Sequence, residues 1–313
     1  MVIKMLSIII PSYNEEKNIE NTANVVSDIM EENKIDYELI FVNDGSKDRT
    51  WEMISLLADK RDNIVGVNFS RNFGKESAIF AGLKEASGDA CVLMDCDLQH
   101  PPQVIVEMYE IWKNNDNIDV VEGKKSSRGK ENPIYKCFSL LFYKMIKSAS
   151  GLDMKAASDF KLLDRKVVDS LNEMPERLTF FRAMSSWVGF NKETVYFEVA
   201  ERHDGESKWS LKSLVKYAVN SISSFTSAPL HIVTVIGFIM LLCSIALGIQ
   251  TLWKFAHGSS EGFTTVILLM LFTSSLIMIS LGIIGYYISK IYEEIKCRPR
   301  YIISERKKSN NLK

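Results

Sequence analysis

Residues 89–102 read DACVLMDCDLQHPP, an apolar run that ends in two aspartates and a double proline. Residues 91–94 are typical of a short buried strand. Because side chains alternate along a strand, Asp95 and Asp97 would point the same way, and two carboxylates on one side repel unless a cation lies between them. Proline at the first helical position begins a helix without losing a hydrogen bond. The stretch therefore predicts a strand, an acidic turn and a helix; a simple solvated loop is the alternative for the turn.

Strand and helix patterns alternate through the first half of the chain. The predicted strands cover residues 6–10, 37–42, 64–69 and 90–94, and the predicted helices cover residues 15–33, 48–60 and 75–86. This alternation predicts an α/β fold whose mostly parallel sheet is covered on both faces and binds ligands beyond the carboxyl ends of its strands. Those ends carry the segments PSYNE (11–15), NDGS (43–46), SRNFG (70–74) and DCD (95–97).

The segments at the strand ends are acidic rather than glycine-rich. Neither GxGxxG nor GxxxxGK[ST] occurs in the chain, and those are the patterns of the common phosphate cradles. Carboxylates at a ligand edge favour a hard cation, which in turn holds phosphate oxygens. The balance of 38 Lys and Arg against 39 Asp and Glu excludes a generally basic nucleic-acid binder. The sequence thus predicts a site for a metal-complexed phosphate and no nucleic-acid partner.

Two long uncharged segments occupy the C-terminal third. Residues 232–253 are uncharged over 22 positions, and residues 263–289 over 27. A helix of about 20 residues crosses the hydrocarbon core of a membrane. We therefore predict two transmembrane helices, at about 230–253 and 264–289. Buried core helices of a soluble protein are the alternative, but such helices seldom lack a polar stripe.

The charges beside these segments predict the orientation in the membrane. The connection at residues 254–262 is short and nearly neutral, whereas residues 290–313 hold eight Lys or Arg and three Glu. By the positive-inside rule, the chain is expected in the cell membrane with two spans and with both termini and the N-terminal domain in the cytoplasm. The predicted domains are a cytoplasmic domain at 1–228, the two spans within 229–290 and a basic tail at 291–313.

Two further segments mix lysine with large apolar residues, at about 133–150 and 210–226. They suit helices lying in the membrane interface with lysine reaching the headgroups, and they suit ordinary core-facing helices equally well. The spans themselves contain small residues that favour packing between helices, which makes a homo-oligomer through the transmembrane helices an expectation. These small residues are Ser244, Gly248, Ser280 and Gly282.

Six motifs, in this order along the chain, carry a family resemblance. They are SIIIPSYNEEKNI (7–19), FVNDGSKDRT (41–50), NFSRNFGKESAIFAGLKEASGD (68–89), LMDCDLQHPP (93–102), SDFKLLDR (158–165) and ERHDGESKWS (201–210). Together they resemble the polyprenyl-phosphate glycosyltransferases, inverting enzymes of glycosyltransferase family 2 with the GT-A fold, which include bactoprenol glucosyltransferases and dolichyl-phosphate mannose synthases. The resemblance implies transfer of a sugar from a nucleotide-sugar to the phosphate of a membrane polyprenol. It implies UDP-glucose and undecaprenyl phosphate as the substrates, with use of the product in cell-envelope glycan modification.

The resemblance also implies roles for residues at the strand ends. Asp95, Asp97 and Gln99 match positions that hold Mg²⁺ or Mn²⁺, which would neutralise the departing diphosphate. Asp95 also belongs to the expected nucleotide-sugar site. The other residues at positions that hold the nucleotide are Pro11, Tyr13, Glu15 and Asp44. From the residues alone, Glu15 could instead be a charge in the first turn of a helix and Asp44 a turn residue.

The remaining implied roles concern the acceptor. Asp159 matches a residue proposed as general base, although a phosphate monoester is already anionic near neutral pH and needs little deprotonation. Asp159 could instead orient the acceptor or the sugar, or cap a helix over the FKLL that follows. Arg128, Arg202 and Lys208 are the candidates for binding the lipid phosphate.

Other functions remain as alternatives. The same reaction with GDP-mannose or UDP-N-acetylglucosamine differs only in the donor. A processive polysaccharide synthase would need a QxxRW motif, and none of the three glutamines begins one. A non-catalytic subunit that binds a nucleotide-sugar in the membrane would not need the intact DxD and Asp159.

Overall fold

The computed structural model describes residues 4–126, 158–176, 180–198, 228–257 and 263–308. Within these ranges the chain divides into two compact units. The first unit contains the described residues up to 198 together with residues 299–308, and the second contains residues 228–257 and 263–298.

The first unit is built on one eight-stranded sheet. Its strands are β1 (Leu6–Ser12), β2 (Tyr37–Asn43), β3 (Ile64–Phe69), β4 (Ala90–Leu93), β5 (Val120–Lys125), β6 (Lys161–Asp164), β7 (Lys192–Phe197) and β8 (Ile303–Lys308). Its helices are α1 (Ile19–Glu32), α2 (Thr50–Lys60), α3 (Lys75–Glu85), α4 (Pro102–Lys113), α5 (Arg165–Glu173) and α6 (Phe181–Trp187). The strand order is β7-β5-β6-β4-β1-β2-β3-β8.

The centre of the sheet is parallel. Strand β1 lies between β2 and β4, with Ile8 level with Leu39 on one side and with Val92 on the other, and β3 continues the parallel set beyond β2. Strands β1, β2 and β4 are almost entirely buried, as expected of parallel strands covered on both faces. The predicted α/β fold with a mostly parallel sheet is confirmed for this central part.

The outer strands give the sheet a mixed edge. Strand β6 runs antiparallel to both β4 and β5, while β7 is parallel to β5. The FKLL segment after Asp159 therefore leads into strand β6, which rules out the alternative that Asp159 caps a helix there. The cap belongs to Asp164, whose side chain accepts a hydrogen bond from the backbone N–H of Lys166 at 3.0 Å at the start of α5.

The predicted elements of the first half are all present, with small differences at their ends. The largest is at α1, which begins at Ile19 rather than at residue 15. The reason is a turn in which the carbonyl of Glu15 accepts hydrogen bonds from the N–H groups of Asn18 and Ile19. From Ile19 onward, Ala23, Val26 and Met30 form the buried stripe that helical periodicity requires.

The C-terminal segment differs from the expected basic tail. Residues 303–308 form β8, which pairs antiparallel with β3 and covers the edge of the sheet. Charged side chains hold it there: Glu305 accepts a hydrogen bond from Trp51 Nε1 at 3.0 Å, and Arg306 contacts Glu85 at 3.0 Å. The run of charged residues in ISERKK, which resembles a solvated tail, thus belongs to an exposed edge strand.

The second unit contains two long helices, α7 (Ala228–Ala256) and α8 (Phe263–Ile295). Both are long and apolar enough to cross a membrane, through residues 233–250 and 269–295. No part of these two apolar windows is buried inside the chain, and large side chains such as Phe238, Ile249 and Met278 are exposed. Core helices of a soluble protein would bury such side chains. The predicted interface helices at about 133–150 and 210–226 lie outside the described residues.

Candidate active site

The loops that follow β1 and β2 are joined by hydrogen bonds at the carboxyl end of the sheet. The N–H of Asn14 donates to Ser46 Oγ at 2.9 Å, and Asn14 Oδ1 accepts from the N–H of Lys47 at 2.9 Å. The N–H of Glu15 donates to Thr50 Oγ1 at 2.9 Å. These reciprocal contacts fix the segment that carries the predicted nucleotide-binding residues.

Three of those predicted residues lie in this segment. Pro11 is half-buried near the end of β1, and the ring of Tyr13 is 37% exposed beside it. Glu15 Oε2 accepts a hydrogen bond from Asn18 Nδ2 at 2.6 Å, which fixes the orientation of the carboxylate. An exposed aromatic ring next to an oriented carboxylate suits a base and its ribose, which need a stacking surface and an acceptor for hydroxyls.

The carboxylate of Asp44, in contrast, already accepts hydrogen bonds from the protein backbone. Its carboxylate is buried and accepts hydrogen bonds from the N–H groups of Phe73 at 2.6 Å and Gly74 at 2.9 Å. Burial raises the pKa of Asp44, and these backbone donors act in the opposite direction. Gly74 has a φ of +96°, which favours glycine. In the structure Asp44 therefore holds the SRNFG loop, and its predicted contact with the nucleotide stays a prediction.

The acidic turn after β4 is paired with a lysine side chain from α3. Asp95 Oδ1 lies 2.6 Å from the ammonium nitrogen of Lys75, the first residue of α3. Asp97 Oδ1 accepts from the N–H of Gln99 at 3.2 Å, and Leu98 between them has a φ of +55°. The turn is further anchored where Thr22 Oγ1 donates to the carbonyl of Cys96 at 2.8 Å. The predicted trio Asp95, Asp97 and Gln99 thus lies together in one structured turn.

Asp159 joins this site from the segment that leads into the neighbouring strand β6. Its Oδ1 lies 2.7 Å from Arg182 Nε and its Oδ2 lies 2.9 Å from Arg182 Nη2, which makes a two-point ion pair. Lys75 also reaches Asp159 Oδ2, at 3.4 Å. Lys75 therefore bridges the two carboxylates Asp95 and Asp159, which the family resemblance alone had assigned to separate roles.

The charges around this bridge shift the ionisation of each group. Burial alone would raise the pKa of Asp159, but Lys75 and Arg182 together hold it well below its usual range. Burial alone would lower the pKa of Lys75, but Asp95 and Asp159 raise it above its usual range. Asp159 is therefore an anionic anchor for two cations, and its role as general base stays a prediction.

A buried ion pair supports the helix that carries Arg182. Lys161, which is only 2% exposed, lies 3.1 Å from Glu122 Oε1 and donates to Ser185 Oγ at 2.9 Å. Ser185 belongs to α6, three residues after Arg182. The pair thereby fixes α6 against the sheet and holds the guanidinium in front of Asp159.

His100 connects the acidic turn to the segment of Asp159. Its ring is buried and stacks on Phe160, with centroids 4.6 Å apart and planes 3° from parallel, and it meets the edge of Phe197 at 5.6 Å. Burial lowers the pKa of His100, which favours the neutral ring. His100 is thus packed between the rings of Phe160 and Phe197 beside the acidic turn.

Lys75, Arg182 and the His100–Phe160 stack were not among the predicted site residues. A signal existed for Lys75, because it directly follows the SRNFG segment at the end of β3. No comparable signal marked Arg182. The predicted lipid-phosphate residues Arg128, Arg202 and Lys208 lie outside the described residues.

The acidic turn fits a divalent cation that brings its own phosphate ligands. Among the residues that the structure describes, no group of three or more His, Cys, Asp or Glu is arranged to hold a metal ion. The turn offers two carboxylates and the amide of Gln99, and Asp95 already binds a cation in the form of the Lys75 ammonium. Mg²⁺ is commonly bound by one or two carboxylates together with substrate phosphates.

Comparison with known proteins assigns the family. Residues 7–171 match the sequence profile described as Glycosyl transferase family 2. The chain belongs to glycosyltransferase family 2. The match begins in β1 and ends in α5, so it includes both the acidic turn and Asp159. The chain is therefore an enzyme of the glycosyltransferase class, and the predicted family is confirmed.

Relatives within glycosyltransferase family 2 resemble the chain over almost its full length. It is 36% identical over 311 residues to the bactoprenol glucosyl transferase of Shigella phage SfII, covering 97% of this chain and 99% of the relative. It is 37% identical over 303 residues to an uncharacterized glycosyltransferase of Synechocystis sp., covering 96% and 95%. These matches extend through the two apolar helices as well as the sheet.

A solved structure confirms the fold of this family 2 enzyme. Glucosyl-3-phosphoglycerate synthase from Mycobacterium tuberculosis, in complex with Mn²⁺, UDP and glucosyl-3-phosphoglycerate, superposes with a TM-score of 0.50 at 20% sequence identity. The match covers 70% of this chain and 78% of that chain. The first unit therefore has the GT-A-like α/β fold that the sequence predicted.

Proposed function

We propose that the protein transfers glucose from UDP-glucose to the phosphate of a membrane polyprenol, undecaprenyl phosphate, with inversion at the anomeric carbon. An oxygen of the acceptor phosphate attacks the anomeric carbon, the bond from that carbon to the diphosphate oxygen breaks, and UDP leaves with the electron pair. The product, polyprenyl-phosphate glucose, would serve as a sugar donor for cell-envelope glycan modification. The supporting relatives include proteins named bactoprenol glucosyl transferase, similar over nearly the whole chain.

The observation that carries this proposal is the acidic turn at the ligand edge of the sheet. Asp95 and Asp97 follow β4 and lie beside a Lys75–Asp159–Arg182 network of fixed charges. The site thus offers anionic oxygens for a cation and cationic donors for phosphate within a few ångströms, as transfer away from a diphosphate requires.

The nucleotide is expected in the segment that follows β1. The exposed ring of Tyr13 would stack on the base, and Glu15, held by Asn18, would accept hydrogen bonds from the ribose hydroxyls. Pro11 shapes the end of β1, and Asp44 keeps the SRNFG loop in place next to it. Neither contact distinguishes glucose from another hexose, so the assignment of the sugar is supported by the named relatives.

A divalent cation, Mg²⁺ or Mn²⁺, would be held by Asp95, Asp97 and Gln99. When bound, it supplies charge neutralisation to the departing diphosphate. The chain's own contribution is to keep Asp95 ionised, because Lys75 lowers the pKa of Asp95 against the opposing effect of burial.

Asp159 is proposed to position the neighbouring cationic side chains rather than to remove a proton from the acceptor phosphate. A phosphate monoester is anionic near neutral pH and can attack without losing a further proton. The Asp159 carboxylate, bound to Arg182 at two points, instead fixes cationic groups at the place where two phosphates must approach each other. Arg128, Arg202 and Lys208 remain the proposed additional contacts to the lipid phosphate.

The helices α7 and α8 would place the enzyme at its lipid substrate. With 29 and 33 residues, they are about 44 and 50 Å long, enough to cross a hydrocarbon core of about 30 Å with residues to spare. We propose that both helices span the cell membrane, that the catalytic unit and both termini are cytoplasmic, and that the helices pack into a homo-oligomer.

The test is a donor panel with the full-length protein in mild detergent. Release of nucleoside diphosphate is measured with undecaprenyl phosphate and Mn²⁺ or Mg²⁺ for UDP-glucose, UDP-galactose, UDP-N-acetylglucosamine and GDP-mannose. We expect turnover of UDP-glucose that requires both lipid and metal. Preference for another donor would revise the sugar alone, whereas binding of a nucleotide without turnover of any donor would favour the non-catalytic subunit.

A further inference from the structure

Lys75 occupies an unusual position in the active site. Its ammonium group lies 2.6 Å from Asp95 Oδ1 and 3.4 Å from Asp159 Oδ2. It is the first residue of α3 and follows Gly74, which is in turn held by Asp44. The backbone at Lys75 is therefore fixed, while its side chain remains 43% exposed and carries four flexible methylene groups.

The contact between Lys75 and Asp95 competes with a divalent cation. A metal ion bound through Asp95 would lie close to the ammonium, and two positive charges a few ångströms apart repel each other strongly where water is partly excluded. In the free protein, the Lys75 ammonium therefore neutralises the Asp95 carboxylate that a metal ion would otherwise neutralise.

The two anchors of Lys75 are unequal. Arg182 already contacts Asp159 at two points, at 2.7 and 2.9 Å, whereas Lys75 reaches the same carboxylate only at 3.4 Å. If Lys75 leaves Asp95, the guanidinium still neutralises Asp159. The network can thus release the ammonium without leaving a buried carboxylate unpaired, a state that would be costly.

We propose that Lys75 is an exchangeable counter-ion, which pairs with Asp95 in the free enzyme and moves to a substrate phosphate oxygen when a divalent cation binds the acidic turn. This rests on the proposed function, because it requires a metal and a phosphate at this edge of the sheet. Arg182 is the fixed cation of the pair and Lys75 the mobile one. The phosphate could belong to the donor diphosphate or to the acceptor lipid, and both present the same anionic oxygens to an ammonium.

If this exchange occurs, Lys75→Met should change the affinities for Mn²⁺ and for a phosphate ligand in opposite directions. Without the competing ammonium, the nucleotide-free protein should bind Mn²⁺ more tightly, roughly three- to tenfold, the effect of removing one partly exposed charge. Binding of a phosphate ligand should weaken by about tenfold in the same variant, because a charge-assisted hydrogen bond is lost. A residue that only supported the fold would not strengthen one ligand and weaken the other.

The experiment uses the full-length protein in detergent with three variants. Free Mn²⁺ is followed by electron paramagnetic resonance, and binding of UDP and of undecaprenyl phosphate, each in saturating Mn²⁺, is followed by calorimetry. Lys75→Met is compared with Lys75→Arg, which keeps the charge and should bind phosphate better than Lys75→Met. The matched control is Lys84→Met, an exposed lysine nine positions along the same helix, which should match the wild type throughout.

Each outcome decides the proposal. If Lys75→Met binds Mn²⁺ more tightly and UDP more weakly than the wild type, Lys75 contacts the donor diphosphate. If it binds Mn²⁺ more tightly and undecaprenyl phosphate more weakly, Lys75 contacts the acceptor phosphate. Unchanged or weaker Mn²⁺ binding by Lys75→Met, or tighter Mn²⁺ with both phosphate ligands unaffected, overturns it. None of these titrations needs turnover, so a failure of the proposed transferase reaction would be seen separately in the donor panel.

Discussion

Replacing Glu76 by glutamine should stabilise the protein at neutral and higher pH but not near pH 4.5. Glu76 lies half-buried at the start of α3, and its Oε2 accepts a hydrogen bond from the N–H of Phe181 at 2.7 Å. Burial and the negative charge of Asp159 raise the pKa of Glu76 from 4.5 to about 7. Glutamine keeps the acceptor for Phe181 and removes the charge.

The raised pKa of Glu76 determines how its contribution to stability changes with pH. Since the folded state holds the proton more tightly than the unfolded state, the stabilisation is fully present below pH 4.5 and is lost as the pH rises through about 7. The difference between 4.5 and about 7 corresponds to about 3 kcal/mol. Because solvent reaches part of the side chain, we expect about 1–2 kcal/mol in practice, or about 2–8 °C in the unfolding midpoint of a unit of this size.

Thermal unfolding of the full-length protein, followed by tryptophan fluorescence from pH 4.5 to 8, measures this effect. The difference between Glu76→Gln and wild type should be close to zero at the acidic end and should grow to its full value above pH 7. Glu52→Gln, at an exposed position on α2, is the control and should show no such growth. A difference for Glu76→Gln that is the same at every pH, or that has the opposite sign at pH 8, would refute the reasoning.

Variants at three other residues test the remaining parts of the site. Asp97→Asn should lower kcat/KM by at least about 100-fold in steady-state assays with little change in the unfolding midpoint, because it removes the charge of a proposed metal ligand from the half-buried turn after β4; activity within a few-fold of wild type would contradict the proposed role. Asp44→Ala should lower the free energy of unfolding by about 2–3 kcal/mol in denaturant titrations, since two backbone N–H groups lose their acceptor; an unchanged midpoint would show that the loop does not depend on it. Arg182→Lys, which keeps the charge but loses the two-point contact with Asp159, should lower kcat/KM by about tenfold and Arg182→Gln by more; equal losses would mean that the charge is unimportant.

The centre of the fold could be predicted because its signals are local. Short apolar runs separated by helical periodicity predict the four parallel strands, and the acidic turn after β4 follows from the same pattern. The site residues Asp95, Asp97 and Gln99 are adjacent in sequence, so their proximity needed no knowledge of the tertiary structure. The identity of the sugar is not encoded in these motifs.

The rest of the site depends on contacts between distant residues. Lys75 and Asp159 are separated by 84 positions and meet only because β6 pairs antiparallel with β4. No periodic pattern in the sequence predicts the pairing of β6 with β4. The four-residue strand β6 directly precedes a helix, so its sequence resembles the start of that helix. The edge strand β8 was missed for a related reason, because its charged side chains resemble a solvated tail until the exposed edge of β3 is known.

Analysis of the lipid product tests the central claim most directly. Full-length protein is incubated with UDP-glucose, undecaprenyl phosphate and Mn²⁺, and the extracted lipid is examined by mass spectrometry and by nuclear magnetic resonance of the anomeric position. The account predicts a polyprenyl phosphate heavier by one anhydrohexose unit, with the anomeric configuration opposite to that of the donor, and no such product from Asp97→Asn. Release of UDP with free glucose and unmodified lipid, or a product of retained configuration, would contradict it.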